Sequence, residues 1–548
     1  MRYDSTIRAF QGTLSRFSFT ENNSFPEDFA VKRFLKKFQV PDRTVLSSLK
    51  KKCWEDWIEY DLNLKRITTR DFFTFPMLYK VRSHLHQLCK HPKLGIVDFP
   101  KGSEYSPTFG RNSIEARLCK SNWTCTHDNF EEFSKTVYGH TSLKRAFRQR
   151  YYKWFRNQKF NVSQRAADTL IFQGFLKLSK NHREATFLAF QWKLERIITF
   201  TQGSRFSSVP KNNDVRRPIN IEPFGNIDVQ RRTGNYLRTL LREDLGIDLD
   251  TLAKTHREKI CDSRYATIDL KNASDSISVA LCEFLLPRSL FKMLLNSRSP
   301  LILSPQKDYH LIEKISSMGN GFTFELMTTI LTAIARQLDP TASVFGDDIL
   351  IVNEKAAELV SILEGIGFQV NNEKSFIFSE FRESCGGNYH DSYGYVESYD
   401  FTYPKGIHDC IVIYNKCLRL SDKFPNFQRL SRALSRHIPK ALQGIVEHDF
   451  FTREIMPSMS GTIPPEFSNF FRSHNFAQLS RTYDHRMRRK LEEFCRRYQY
   501  KPEDVKIFQG LTHIEKLRSP TLKHLLPRLH YAKYAMYLHA GRRAKDVL

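Results

Sequence analysis

The chain has 548 residues, with 85 Lys and Arg against 59 Asp and Glu, a formal net charge of +26 and a pI near 9.6. Such an excess of one sign is a standing cost in self-repulsion that a polyanionic partner relieves, and nucleic acid fits best. No apolar run approaches the roughly 18 residues of a membrane span, no lipidation motif occurs, and the start lacks a signal-peptide core, so a protein that engages no membrane is expected.

The length predicts about three or four lobes around a large core. Ten cysteines are scattered through the chain with no Cys-x-x-Cys pair, which predicts reduced, mostly buried thiols rather than a zinc ribbon or redox couple. There is no internal repeat and no low-complexity segment.

In chain order, the first informative stretch is Lys144 to Arg156, a predicted helix in which cations and rings interleave. Lys144, Arg145, Arg148 and Arg150 would neutralise phosphates while the rings stack on unpaired bases. An amphipathic helix with its aromatics in the core satisfies the same pattern. Ser204 to Pro223 reads as strand, turn, strand, the turn marked by Pro210, Asn212, Asn213 and Asp214. Lys211, Arg216 and Arg217 on its arms would converge on a triphosphate, unless the hairpin is merely solvated.

Tyr265 to Ile268 alternates as a strand that delivers Asp269 at its end, and Ser274 or Asp275 is expected to cap a helix starting near Ser276. Ser316 to Leu326 is a small-residue loop opening onto a helix toward Gln337, and its two glycines would allow close approach of a ligand. Val344 to Val352 then places Gly346-Asp347-Asp348 between two β-prone runs, a predicted hairpin with adjacent carboxylates at its tip. Such a pair calls for a hard, oxygen-loving divalent cation, although a solvated acidic turn has the same sequence.

After this hairpin, Lys355 to Gly365 has helical period, Phe368 to Asn371 resumes as strand, and Phe381 to Gly387 begins a further hairpin. Taken from Tyr265, the order is β-α-β-β-α-β, a ferredoxin-like sheet in which Asp269 and Asp347 lie side by side. From about Tyr403 onward the pattern is mainly helical and basic, as in Arg481 to Lys490, with breaks at Pro439, Pro457, Pro464, Pro465 and Pro520.

Tyr265 to Ser278, Ser316 to Leu326, Val344 to Ile349 and Phe381 to Gly386 resemble the palm motifs of the replicase catalytic subunits of the single-stranded-RNA bacteriophages, the leviviruses. Val209 to Asn212 and Ile221 to Pro223 fit as well. The resemblance implies an α/β (α+β) right-hand polymerase: mainly fingers with an N-terminal extension over 1–255, a palm over 256–400, and a mainly helical thumb with the basic C-terminal region over 401–548.

It also implies an RNA-directed RNA polymerase that replicates a positive-strand phage genome from ribonucleoside triphosphates in the cytoplasm of its bacterial host, starting without a primer. Asp269 and Asp347, with Asp348 assisting, would hold two Mg²⁺ ions, and Lys374 would protonate the departing pyrophosphate. Lys211, Arg216 and Arg217 would shield the triphosphate. For sugar selection the family's usual Asn position holds Met327, so Asp275, Asn320 and Thr323 are the nucleotide-binding candidates, with Ser274 as another substitute. Host elongation factors Tu and Ts, and a small-subunit ribosomal protein, are the implied partners. Gly346 argues against a reverse transcriptase, and survival of all three aspartates argues against a binding-only protein.

Overall fold

Short β-prone runs on either side of Gly346 and Asp347 organise the centre of the fold. In this computed structural model Ser343–Phe345 and Asp348–Val352 pair antiparallel, Phe345 opposite Asp348, and leave those two residues as the turn. Gly346 has φ +66, and a Cβ there would stand 2.4 Å from Cε2 of Phe324, so backbone and packing both require glycine. Asp348–Val352 pairs on its other side with Tyr265–Ile268, Ile349 opposite Ile268. The first strand continues after Asp269 as Leu270–Lys271, which pairs with Gln369–Val370, while Thr267 bridges Phe376. The antiparallel order is therefore last strand, first, third, second, as the ferredoxin-like reading expects.

The structure describes residues 2–437 except 21–23, 37–42, 91, 93–121, 402 and 405–406. The basic run Arg481 to Lys490 and the prolines from Pro439 onward lie outside the described residues. The chain divides into two compact units, Pro41–Val396 and Met1–Val40 with Glu397–Leu548.

In the larger unit, the helices Thr323–Leu338 and Asn353–Gly365 cover the sheet. Leu326, Ile330, Ile334, Leu359 and Leu363 bury their side chains with Ala266, Ile268, Ile349 and Ile351 in one core. Burying each such side chain contributes about 1.5–3 kcal/mol, which fixes which face of the strands points inward. A second core gathers Trp123, Phe133, Phe147, Tyr151, Phe155 and Phe224. A four-stranded sheet carries Arg216–Ile221, Ser204–Pro210, Leu301–Leu303 and Tyr309–Leu311 in that order. Its arginine hairpin turns through Asn212, whose Oδ1 accepts from the N–H groups of Asp214 and Val215.

One expectation is corrected here. The helix after Asp269 starts at Val279, and its cap is Ser278, whose Oγ accepts from Leu281 N–H at 3.0 Å. Ala273–Asp275 forms a separate 3₁₀ turn after Asn272 at φ +50. Asp275 caps nothing because other elements hold its side chain.

In the smaller unit, the helices Arg2–Arg16 and Phe25–Leu35 pack with Ile407–Ser421 and Pro425–Ser435. Phe10, Leu14 and Phe34 meet Phe401, Cys417 and Phe427 in its core. Asn426 accepts from Thr20 N–H, and Glu27 accepts from Asn426 N–H. Among the described cysteines all are unpaired and most are buried, with Cys261 exposed and Cys385 half-buried. Among the described residues no helix is long and apolar enough to cross a membrane.

Candidate active site

Asp269 leaves the first strand where its backbone is pinned by the segment after the last one. Asp269 N–H donates to Ser375 Oγ at 3.1 Å, Asn371 N–H donates to Asp269 O at 2.9 Å, and Asn371 Nδ2 donates to Asp269 Oδ2 at 2.6 Å. Neither Asn371 nor Ser375 stood out in the sequence, since a short polar residue after a strand is ordinary turn chemistry. Opposite, Asp347 sits at the hairpin tip and Asp348 begins its second strand. The backbone N–H of Cys385, in the next hairpin's turn, donates to Asp348 Oδ2 at 3.2 Å.

Crowding of like charge marks these carboxylates. Burial and then the Asp347 charge, with Asp269 adding, push Asp348 up to about 7. Asp347 is exposed at the hairpin tip, with protein packed around it. Burial raises its pKa, Asp269 raises it further, and the charges of Arg217 and Lys374 oppose the rise. Arg217 and Lys374 therefore act on the same carboxylate from two different segments.

The other predicted residues divide. Arg216 and Arg217 are neighbours in one strand, so their side chains leave opposite faces. Arg217 is exposed on the side that acts on Asp347, whereas Arg216 Nε donates to Ser208 Oγ at 2.8 Å and its Nη2 to Ser208 O. The expected convergence of Lys211, Arg216 and Arg217 is thus not realised for Arg216, and Lys211 is exposed near the turn. Asn320 Oδ1 accepts from Phe322 N–H, and the buried Thr323 donates its hydroxyl to Ser317 O at 2.9 Å. Met327 is core. Asp275 is buried and accepts from Trp57 Nε1 at 2.9 Å and Lys314 Nζ at 3.3 Å.

The helix Thr141–Asn157 forms as expected, but Phe147, Tyr151 and Phe155 face the core. Lys144 Nζ lies 4.2 Å over the Tyr138 ring and Arg150 4.9 Å over Trp123, while Arg145 and Arg148 are exposed.

Among the described residues no three His, Cys, Asp or Glu side chains converge into a group that could hold a metal by itself. The donor chemistry nevertheless fits a hard cation. Asp269, Asp347 and Asp348 offer only oxygen, the proton affinities of Asp347 and Asp348 are raised by their carboxylate neighbours, and among the described residues none of the three has an ion-pair partner. An ion that takes one or two protein carboxylates and completes its shell from phosphate and water suits this open set.

The family described as RNA replicase, beta-chain, matches residues 133–516. The chain belongs to this family. It is 41% identical over 205 residues to the RNA-directed RNA polymerase subunit beta of Escherichia virus Qbeta, covering 36% of this chain and 35% of that one. With the corresponding subunit of Enterobacteria phage SP it shares 39% identity over 234 residues, 41% of this chain and 40% of that one. These alignments span well under half of the relatives' own length. The RNA-dependent RNA polymerase of bacteriophage phi12 overlaps 79% of this chain and 76% of its own at TM-score 0.38 and 12% identity.

Proposed function

We propose that this replicase-family chain is an RNA-directed RNA polymerase that copies a positive-strand RNA phage genome by template-directed nucleotidyl transfer, starting without a primer. The supporting observation is the set of three aspartates at the ends of adjacent antiparallel strands, with Arg217 and Lys374 acting on the same carboxylate. When bound, two Mg²⁺ ions would supply the positive charge that lowers the pKa of a 3′-hydroxyl and stabilises the transferring phosphate.

Asp269 and Asp347 are the residues that would hold that charge, with Asp348 assisting. Asp269 is suited to it because Asn371 and Ser375 fix both its side chain and its backbone. Arg217 can receive the triphosphate in bidentate geometry, with Lys211 adding charge from the turn. Lys374 is half-buried, its charge acts on Asp347, and it can donate a proton to departing pyrophosphate. Asp275, Asn320 and Thr323 would line the sugar subsite. Arg145 and Arg148, with Lys144 and Arg150, would meet the template or product backbone.

In this reading 256–400 is the palm, 1–255 contributes mainly fingers and 401–548 the thumb. Host elongation factors Tu and Ts, and a small-subunit ribosomal protein, would join the chain in the bacterial cytoplasm.

The test is primer-free incorporation of labelled ribonucleotides and deoxyribonucleotides on an RNA template with Mg²⁺, with and without the elongation factors. Ribonucleotide incorporation that Asp347→Asn abolishes, with RNA affinity nearly unchanged, is the expected result. Deoxyribonucleotide preference would make the chain a reverse transcriptase, and tight binding without synthesis would make it a binding protein.

A further inference from the structure

Asp275, a residue of the proposed sugar subsite, is held by buried groups that the mechanism above does not use. Lys314 has no solvent exposure, and its Nζ stands 3.5 Å from Asp61 and 3.3 Å from Asp275, carboxylates that are themselves 0% and 5% exposed. The same ammonium lies 3.7 Å over the ring of Trp57, whose Nε1 donates to Asp275 Oδ1. Asp61 is satisfied further by the N–H of Glu313.

Trp57 and Asp61 belong to the helix Arg43–Leu64, which precedes the family match at 133–516. This helix braces two parts of the candidate site. Trp54 and Trp57 pack on Phe206 of the arginine hairpin, and Cys53 Sγ contacts Arg216 O. Tyr60 OH hydrogen-bonds Ser276 Oγ at 2.6 Å and donates to Gly367 O.

A seal between elements is built more cheaply from apolar residues, because burying three charges carries a desolvation cost that their attraction only partly offsets. The arrangement instead fixes one carboxylate oxygen and spares the other. Asp275 Oδ1 receives both Trp57 and Lys314, while among the described residues Oδ2 has only Ser274 Oγ at 3.4 Å. A carboxylate can accept about four hydrogen bonds, so Oδ2 retains capacity. Asp275 also sits six residues after Asp269, on the turn that leaves the strand carrying it.

We propose that Trp57, Lys314 and Asp61 are positioning residues for sugar selection, holding the Asp275 carboxylate oriented so that Oδ2 accepts the 2′-hydroxyl of the incoming ribonucleotide. The proposal rests on the polymerase reading. A ribose gives this oxygen a charge-assisted hydrogen bond, whereas a deoxyribose leaves a desolvated acceptor unpaired.

Trp57→Phe tests it in the full chain with its host factors, because the ring stays under Lys314 and only the Nε1 donor is lost. The expected result is a kcat/KM for ribonucleotides lowered about tenfold with that for deoxyribonucleotides little changed, the loss of one hydrogen bond to a charged group. Tyr60→Phe removes a hydrogen bond from the same helix to the same turn without touching Asp275, and should leave the discrimination ratio as it was. Melting curves identify folded variants. An unchanged ratio in folded Trp57→Phe, or an equal shrinkage in Tyr60→Phe, overturns the positioning role while leaving the polymerase standing. Failure of the unsubstituted chain to incorporate any nucleotide overturns the polymerase reading and this inference with it.

Discussion

Asp269 and Asp275 lie six residues apart and belong to two groups of charge that the fold treats oppositely. Around Asp269 stand Asp347 and Asp348, three carboxylates with two cations at a distance and no ion pair among the described residues. Around Asp275 stand Trp57, Lys314 and Asp61, in which every charged group has a partner within 3.5 Å. The first group is electrostatically incomplete and so can gain from an added cation or phosphate-bound metal. The second already holds its own counter-charge, with only Asp275 Oδ2 keeping room for a further donor, and so loses when a charge is taken from it. Removing a charge should therefore stop chemistry in one group and undermine folding in the other.

The largest effect should be that of Asp347→Asn on synthesis. Loss of several kcal/mol of transition-state stabilisation corresponds to about a thousandfold or more in rate. Next in size is Lys314→Met, which leaves Asp61 and Asp275 buried without their shared cation and should destabilise the larger unit by about 3–5 kcal/mol. Chemical denaturation would show it as a lower midpoint. A stability near that of the parent would mean that the carboxylates simply take up protons, and the contrast between the groups would fail.

Much of the first group was readable from local pattern, because a period-two strand ending in Asp269 and a hairpin with Gly346 at its turn need only neighbouring residues to specify them. Strand parity alone also separates Arg216 from Arg217, so their expected convergence overlooked a rule the sequence already contained. The second group gave no such signal. Trp57 and Lys314 reach Asp275 across 218 and 39 residues, and those partners took Asp275 from the capping role that Ser278 fills instead. Amphipathic patterning could not decide between a core and an RNA face for Phe147 and Tyr151, since both demand the same spacing. Nor does any local feature of the helices Arg2–Arg16 and Phe25–Leu35 announce that they pack with Ile407–Ser421 and Pro425–Ser435.

A buried group held neutral adds a third case to the comparison. His256 is fully buried, with Nδ1 3.0 Å from Ser384 Oγ and Nε2 2.8 Å from Ser343 Oγ, joining the hairpin that carries Asp347 to the one that carries Cys385. Burial, with the nearby Lys259 charge, pushes its pKa down to about 4. The unfolded chain takes up this proton below about pH 6.5 and the native one only near 4, so the contribution is complete above 6.5 and is lost as pH falls toward 4. At pH 5 the loss should be about 2 kcal/mol. Denaturant melts of the parent and His256→Gln at pH 7 and pH 5 isolate it. Equal pH dependence in the two proteins would show that the imidazole is not held neutral.

The smallest effect has the opposite sign from the Lys314 variant. Asp348→Asn keeps an oxygen to accept from Cys385 N–H but removes one of three mutually repelling carboxylates. At pH 8 in a chelator the variant should be more stable than the parent by about 1 kcal/mol, since the native state no longer carries a desolvated charge beside Asp347 and Asp269. Excess Mg²⁺ should shrink or reverse that difference, because a cation relieves the same repulsion in the parent and binds the variant less well. Calorimetric melts in chelator and in Mg²⁺ therefore read the site without any need for synthesis. A variant less stable than the parent in chelator would mean that Asp348 is held by its hydrogen bond more than it is strained by its neighbours, and the incomplete group would reduce to Asp269 and Asp347.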